Sequence, residues 1–337
     1  MPFFLLILSL FACRIEVGNQ ARNQGPSEGP VEFWVYTSMY QSVLDELDPM
    51  LAEELPGVQV KWFQSGSEKV AQRLEAEWAA GGSDACVLMT SDPFWYQALT
   101  ERGFLRPYVS PKALALDRQW VNPTYTTARL STMVLAVHKD LVPLDERPTS
   151  FEDLMNPSFQ GKLSTPDPLS SGTTFTTMAF LQDAYGWSYF ETLRAQGTVS
   201  AGGNSSTLQR IESSERPVGV LLLENLLKAA ESGSPAMAIF PSDGAVAIPG
   251  PIAITTECAY PLQAQEFVDW MLSEKAQGAI VGGYMHSPFP GAAPPVGAPP
   301  LEELSLRPWS AEFTQKTASQ AEALKERYAE IVTGAGQ

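Results

Sequence analysis

Residues 31–103 hold three strand-like runs, each opening into a polar loop and then a helical pattern. VEFWVY at 31–36 leads into Thr37-Ser38, VQVKWF at 58–63 into Gln64-Ser65-Gly66-Ser67, and ACVLM at 85–89 into Thr90-Ser91-Asp92-Pro93. Short apolar runs rich in β-branched and aromatic residues, alternating with helical periodicity, specify βαβ units on a parallel sheet. Such sheets bind ligands beyond the carboxyl ends of their strands. The loops at those ends carry hydroxyls and glycine, which suits binding more than catalysis.

The helical patterns between the strands are amphipathic. Tyr40, Val43, Leu44, Leu47 and Leu51 form one stripe, in which Pro49 is expected to break or restart the helix. A second helix opens at Ser67-Glu68 and carries Val70, Ala71, Leu74 and Trp78; a third, at 94–102, closes at Gly103. RLSTMVLAV at 129–137 and AVAIPGPIAIT at 245–255 read as long strands crossing between two αβ units. Between them come a short helix at 151–155 capped by Ser150, a strand at 163–166, and a loop from Ser170 into a helix ending at Leu181. A helix at 187–195 follows, then a strand end running through Ala201-Gly202-Gly203-Asn204-Ser205 into a helix at 207–212, and a strand at 217–223 ending in Glu224-Asn225. The pattern at 261–281 reads as one helix. Seven prolines at 287–308 make an extended connector, and 309–332 forms a last amphipathic helix. The expected organisation is an α/β chain of two domains, one from 31–130 with 250–285 and the other from 131–249, followed by the connector and helix of 286–337.

A net charge of −16 over 337 residues argues against a nucleic-acid or anionic-membrane surface, because both need clustered Lys and Arg. Residues 1–12 carry no charge and are too short to span a bilayer, so they read as a secretory hydrophobic segment. Residues 14–30, rich in Gly, Asn, Gln, Pro and Ser, read as a flexible tether. Leu10-Phe11-Ala12-Cys13 resembles a bacterial lipoprotein lipobox, which implies cleavage before Cys13 and lipid on its thiol. The alternative is a plain signal peptide with Cys13 incidental. Gly25-Pro26-Ser27-Glu28-Gly29 matches G-x-S-x-G, but no strand precedes it, so it is a chance match. No phosphate loop, zinc spacing or nucleophile–base set is present, so neither catalysis nor a cofactor is expected. His138 and His286, the only histidines, lie far apart in the chain and read as surface or core residues. Cys86 reads as a small buried hydrophobe; in an exported protein it could pair with Cys258, though sequence does not give their separation.

Val35-Tyr36-Thr37-Ser38, the stretch Trp62 through Val70, Leu88 through Pro93, Ser170-Ser171-Gly172-Thr173 and Ala201 through Ser205 together resemble the solute-binding proteins of bacterial ABC importers. The nearest branch is the one labelled ferric-iron binding, with the type II periplasmic fold. The resemblance implies two αβ domains joined by two crossing strands, closing over a solute outside the cytoplasm and delivering it to an inner-membrane permease. It further implies a monomer touching the membrane through its lipid alone. Ferric binders of this fold use adjacent tyrosines on the second-domain strand-to-helix loop, where this chain reads Leu222-Leu223-Glu224-Asn225.

The candidate ligand-binding residues are Thr37, Ser38, Gly66, Ser67, Thr90, Ser91, Asp92, Arg129, Ser171, Gly172, Thr173, Asn204, Ser205 and Glu224. Ser67, Thr173 and Ser205 sit at or near helix starts, where unpaired N–H groups and the helix dipole attract phosphate or carboxylate. Arg129 would add a bidentate donor. Glu224 and Asp92 would serve a hydroxyl or amine at the other end of a bifunctional solute, such as a phosphorylated or phosphonate metabolite. Ferric iron is the alternative. Polyamine or other cation binding, with Trp34, Trp62 and Trp95 as walls, is a second.

Overall fold

A computed structural model describes residues 29–334; the Cys13 assignment and the 14–28 part of the tether lie outside them. The first half builds β1 (Val31–Thr37), α1 (Gln41–Glu54), β2 (Val58–Gln64), α2 (Ser67–Ala79), β3 (Ala85–Met89), α3 (Pro93–Glu101) and β4 (Leu105–Arg106). The long β5 (Thr126–His138) leads to β6 (Leu163–Thr165), α4 (Gly172–Tyr185), α5 (Trp187–Ala195), β7 (Val199–Ser200), α6 (Asn204–Glu212) and β8 (Val218–Leu222). Then come α7 (Leu223–Glu231), β9 (Ala236–Ile239) and the second long strand, β10 (Val246–Thr255). α8 (Pro261–Met271), α9 (Glu274–Gly282) and α10 (Ala311–Thr333) complete the order.

The strands run β2-β1-β3-β10-β5-β8-β6-β7, with β4 on β10 and β9 on β5. β1 pairs in parallel with β2 and β3, and β6 with β7 and β8, as crossover connections require. β5 and β10 pair with each other antiparallel at the centre and link the two halves. All residues of both long strands are buried. One core, with Val35, Leu47, Phe267 and Ile280, packs on the first half; another, with Phe151, Phe175, Leu181 and Val218, packs on the second. Each such buried side chain contributes roughly 1.5–3 kcal/mol of hydrophobic stabilisation. This is the mixed α/β, two-lobed architecture with two crossing strands that the sequence specifies.

Several local expectations need correction. α1 runs unbroken through Pro49. Both Pro49 and Asp45, whose carbonyl loses its donor, face solvent, so water can replace the missing bond. The stretch 261–281 is two helices, because the Ser273 hydroxyl accepts the Ala276 amide and restarts the chain as α9. α6 begins at Asn204, three residues before the expected start, and 152–155 is a 3-10 turn. β9 carries too short an apolar run to be foreseen. Cys86 is bonded to Cys258, with Cα atoms 4.2 Å apart. Ile254 of β10 sits opposite Val87 of β3, so Thr255 comes level with Cys86, and the turn after β10, closed by the Cys258 amide donating to the Thr255 carbonyl at 3.3 Å, brings Cys258 back to it. His138 and His286 are both buried, and His286 Nε2 lies 3.0 Å from the Pro299 carbonyl.

Candidate functional site

The loops at the strand ends converge on one cavity of about 190 Å³, lined from both halves of the sheet. Ser38, Gly66, Ser67 and Ser91 come from the first half and Ser171, Gly172, Thr173, Asn204 and Glu224 from the second. Arg129 of β5 joins them. Four helix N-termini therefore border the space: those of α2, α4, α6 and α7. Gly66 and Gly203 cap α2 and α6 with no side-chain acceptor, so these amides are left for another partner.

Arg129 sets the character of the cavity. It is 2% exposed, a fully buried cation. Its Nη2 donates to Ser91 Oγ at 2.8 Å and to Ser38 Oγ at 3.2 Å, while Nε and Nη1 have no partner. The stem passes over Gly250 on β10, where a Cβ would lie 2.6 Å from Arg129 Cγ. Burial lowers the guanidinium pKa, although an arginine stays protonated in a protein.

Glu224 stands in the first turn of α7, also buried at 3% exposure, and neither carboxylate oxygen accepts a well-formed hydrogen bond. Burial pushes its pKa up to about 7; the nearby Ser131 hydroxyl, its own amide and the Arg129 charge restrain the rise. Tyr40 approaches from the first half, and its hydroxyl donates to Asn225 Oδ1 at 3.2 Å. Burial and then the Glu224 charge hold this phenol well above its ordinary pKa.

Of the remaining sequence candidates, Thr37, Thr90, Asp92 and Ser205 lie off the cavity, while Thr173 and Asn204 line it. Thr37 donates to the Met89 carbonyl at 2.9 Å and accepts the Met39 amide at 3.0 Å, a turn-holding role. Thr90 is wholly buried behind the wall, its amide held by the Tyr96 hydroxyl at 2.9 Å. Asp92 caps α3, accepting the Phe94 and Trp95 amides at 3.1 Å each. Ser205 is exposed. Thr173 bonds Ser171 at 3.0 Å, and Asn204 Oδ1 takes the Leu222 amide at 3.1 Å, fixing α6 against β8.

Tyr40, Ser131, Ser170, Gly203, Leu222 and Met285 also line the cavity and were not among the candidates. Ser131 was readable, since two residues along a strand returns to the face of Arg129. Met285 gave no signal. A larger cavity of about 240 Å³ lies under α10 between Met178, Leu181, Phe190 and Leu193. It holds no buried charge comparable to Arg129 or Glu224, so the smaller cavity is the better site. Among the described residues no three His, Cys, Asp or Glu side chains converge as metal ligands.

Residues 33–282 match the family described as bacterial extracellular solute-binding protein. A Haemophilus influenzae protein named only as uncharacterized is 22% identical over 290 residues, 82% of each chain. Iron-bound HitA from Pseudomonas aeruginosa superposes with a TM-score of 0.78 at 20% identity, covering 89% of this chain and 99% of its own. AfuA from Actinobacillus pleuropneumoniae, solved with fructose 6-phosphate, gives 0.78 at 20% identity, covering 91% and 99%. At such identities the structures speak to fold alone.

Proposed function

The chain belongs to the bacterial extracellular solute-binding proteins, and we propose that it captures a small phosphorylated or phosphonate metabolite beside Arg129 and passes it to the permease of an ABC importer. The observation carrying this reading is the buried Arg129 with two unpaired donors at a cavity wall. A buried cation is costly until an anion pairs with it, and the guanidinium fork fits the oxygens of a phosphoryl group. The helix N-termini and the Ser67 and Thr173 hydroxyls add donors that carry no formal charge. Glu224, unpaired across the same cavity, favours a hydroxyl or amine on the ligand's other end. The ligand is therefore bifunctional.

Ferric iron and polyamines fit less well. Arg129 would repel either cation, and the segment at 220–225 offers Glu224 in place of a tyrosine pair. The fold itself does not choose, since HitA is titled as iron-bound and AfuA as bound to a sugar phosphate. Native mass spectrometry of the purified protein, followed by calorimetry against phosphometabolites and ferric iron, tests the reading. A retained phosphoryl or phosphonyl compound is the expected result. Tight iron binding with no heat from any phosphometabolite overturns it.

In the same reading, 31–130 with 250–285 and 131–249 are the two lobes, bound by the connector and helix of 286–337. Lipid on Cys13 would hold the protein on the periplasmic or cell-surface side of a membrane, with 14–30 as its leash. Stable anchoring of this kind takes more than one acyl chain. Cys13→Ser should move the protein from the membrane fraction to the soluble one; a variant that stays with the membrane excludes the anchor.

A further inference from the structure

Behind the Ser67 and Thr173 wall lies a group of three charges that the site itself does not use. Lys325 of α10 reaches Glu68 of α2, its Nζ 3.2 Å from both carboxylate oxygens, with both side chains mostly covered. Exposed Glu322 adds a weaker contact at 3.8 Å. Asp92, 7% exposed, stands beside them. Gly172 closes the group from the other half, since a Cβ there would lie 2.9 Å from Asp92 Cβ and 3.1 Å from Ser67 Cβ. Two carboxylates therefore stand directly behind the helix starts that line the cavity, and one ammonium faces them. Burial first, and then the Glu68 charge, raise the Asp92 pKa to about 6, while Lys325 lowers it. Burial opposes the charge of Lys325, but Glu68 and Asp92 outweigh it and raise the Lys325 pKa.

We propose that Lys325 is a positioning residue for anion capture: from α10 it pairs with Glu68 and offsets one of the two negative charges that Glu68 and Asp92 place behind the N-termini of α2 and α4, so that those helix starts can attract the ligand. Without it, two uncompensated like charges would stand behind those helix starts, on side chains so covered that water screens them little. The ammonium also lies 5.0 Å from the Phe175 ring centroid, which ties α10 to the first turns of α4. The last helix thus contributes to the site without lining it. This inference rests on the anion reading of the cavity.

Calorimetry with inorganic phosphate as probe tests it, with thermal melting to check that each variant is folded. Lys325→Gln should weaken phosphate binding about tenfold, and Lys325→Arg should keep most of the affinity. Glu68→Gln should tighten binding, and the pair Glu68→Gln with Lys325→Gln should recover most of the loss. A purely structural ion pair would not tighten binding when its acid is removed. Wild-type affinity in folded Lys325→Gln, or a double variant no better than the single one, overturns the proposal. Wild-type protein that binds no phosphate overturns the anion reading, and the proposal with it.

Discussion

At the scale of single residues, the cavity is defined by two buried charges that do not satisfy one another, Arg129 and Glu224. Glu224 predicts a pH dependence. Its carboxyl titrates near 7 in the folded chain against an ordinary 4.5, because burial disfavours the ionised form. The folded state therefore holds its proton longer than the unfolded state. Its contribution is complete below about pH 4.5 and is lost as pH rises through 7. At 1.36 kcal/mol per unit, the loss is on the order of 3 kcal/mol. Glu224→Gln should remove it, so that denaturant unfolding from pH 4.5 to 8 shows the wild type losing about that much more than the variant; parallel curves would contradict the buried, unpaired carboxyl. Much of this was legible from sequence. Ser38, Ser67, Ser91 and Thr173 sit at strand ends or helix starts, where the topology places ligand contacts. Thr90 and Asp92 share such a loop but turn inward, one behind Tyr96 and the other onto α3, and loop composition does not encode that direction. Tyr40 and Met285 enter through the meeting of distant elements, which no local pattern records.

At the scale of elements, α4 is the wall that must meet the first half of the sheet. Gly172 opens it, and a Cβ there would press on Asp92 Cβ at 2.9 Å, Ser91 O at 3.0 Å and Ser67 Cβ at 3.1 Å. All three neighbours belong to the opposite half, so glycine is needed for the approach and not for its backbone angles. Gly172→Ala should leave the helix intact, since alanine is the better helix former. It should also hold the halves apart. Overpacking of this kind costs about 1–3 kcal/mol, which is roughly a five- to hundredfold loss of affinity with little change in melting temperature. Wild-type affinity in that variant would mean the halves adjust without cost. The helices and the long strands were visible in the apolar periodicity, whereas their breaks were not. The stripe of Phe267, Trp270, Met271 and Ile280 continues across Ser273, so the pattern hid a helix end that one hydroxyl cap creates. Pro49 misled in the opposite direction, because its exposed side lets water take the orphaned carbonyl.

At the scale of the whole molecule, β5 and β10 are the strands that carry the sheet from one half to the other, and their ladder is irregular where it meets the site. The register shifts between Gly250 and Pro251, opposite Arg129 and Thr127. Pro251 has no N–H to give, so the ladder is already broken there, and bending at that level sacrifices few hydrogen bonds. Arg129 lies at this same level, so the residue that would hold the anion also stands on the pivot. The two halves meet around the cavity through the Tyr40–Asn225 hydrogen bond, through Gly172 and through the Lys325–Glu68 pair. Phe94 of α3 also packs edge-on against Phe175 of α4 and Phe313 of α10, with ring centroids 5.8 and 5.7 Å apart, so the halves share an apolar contact as well; it is small beside the two cores, which can rotate as units without unfolding. Small-angle scattering should therefore show a smaller radius of gyration when the phosphoryl compound found by mass spectrometry saturates the protein. The disulfide between Cys86 and Cys258 joins β3 to the end of β10 within the first half, so reducing it should lower the melting temperature and leave that contraction in place. A scattering profile unchanged at saturation would mean that the halves do not move about the crossing strands, and that the ligand enters by another route.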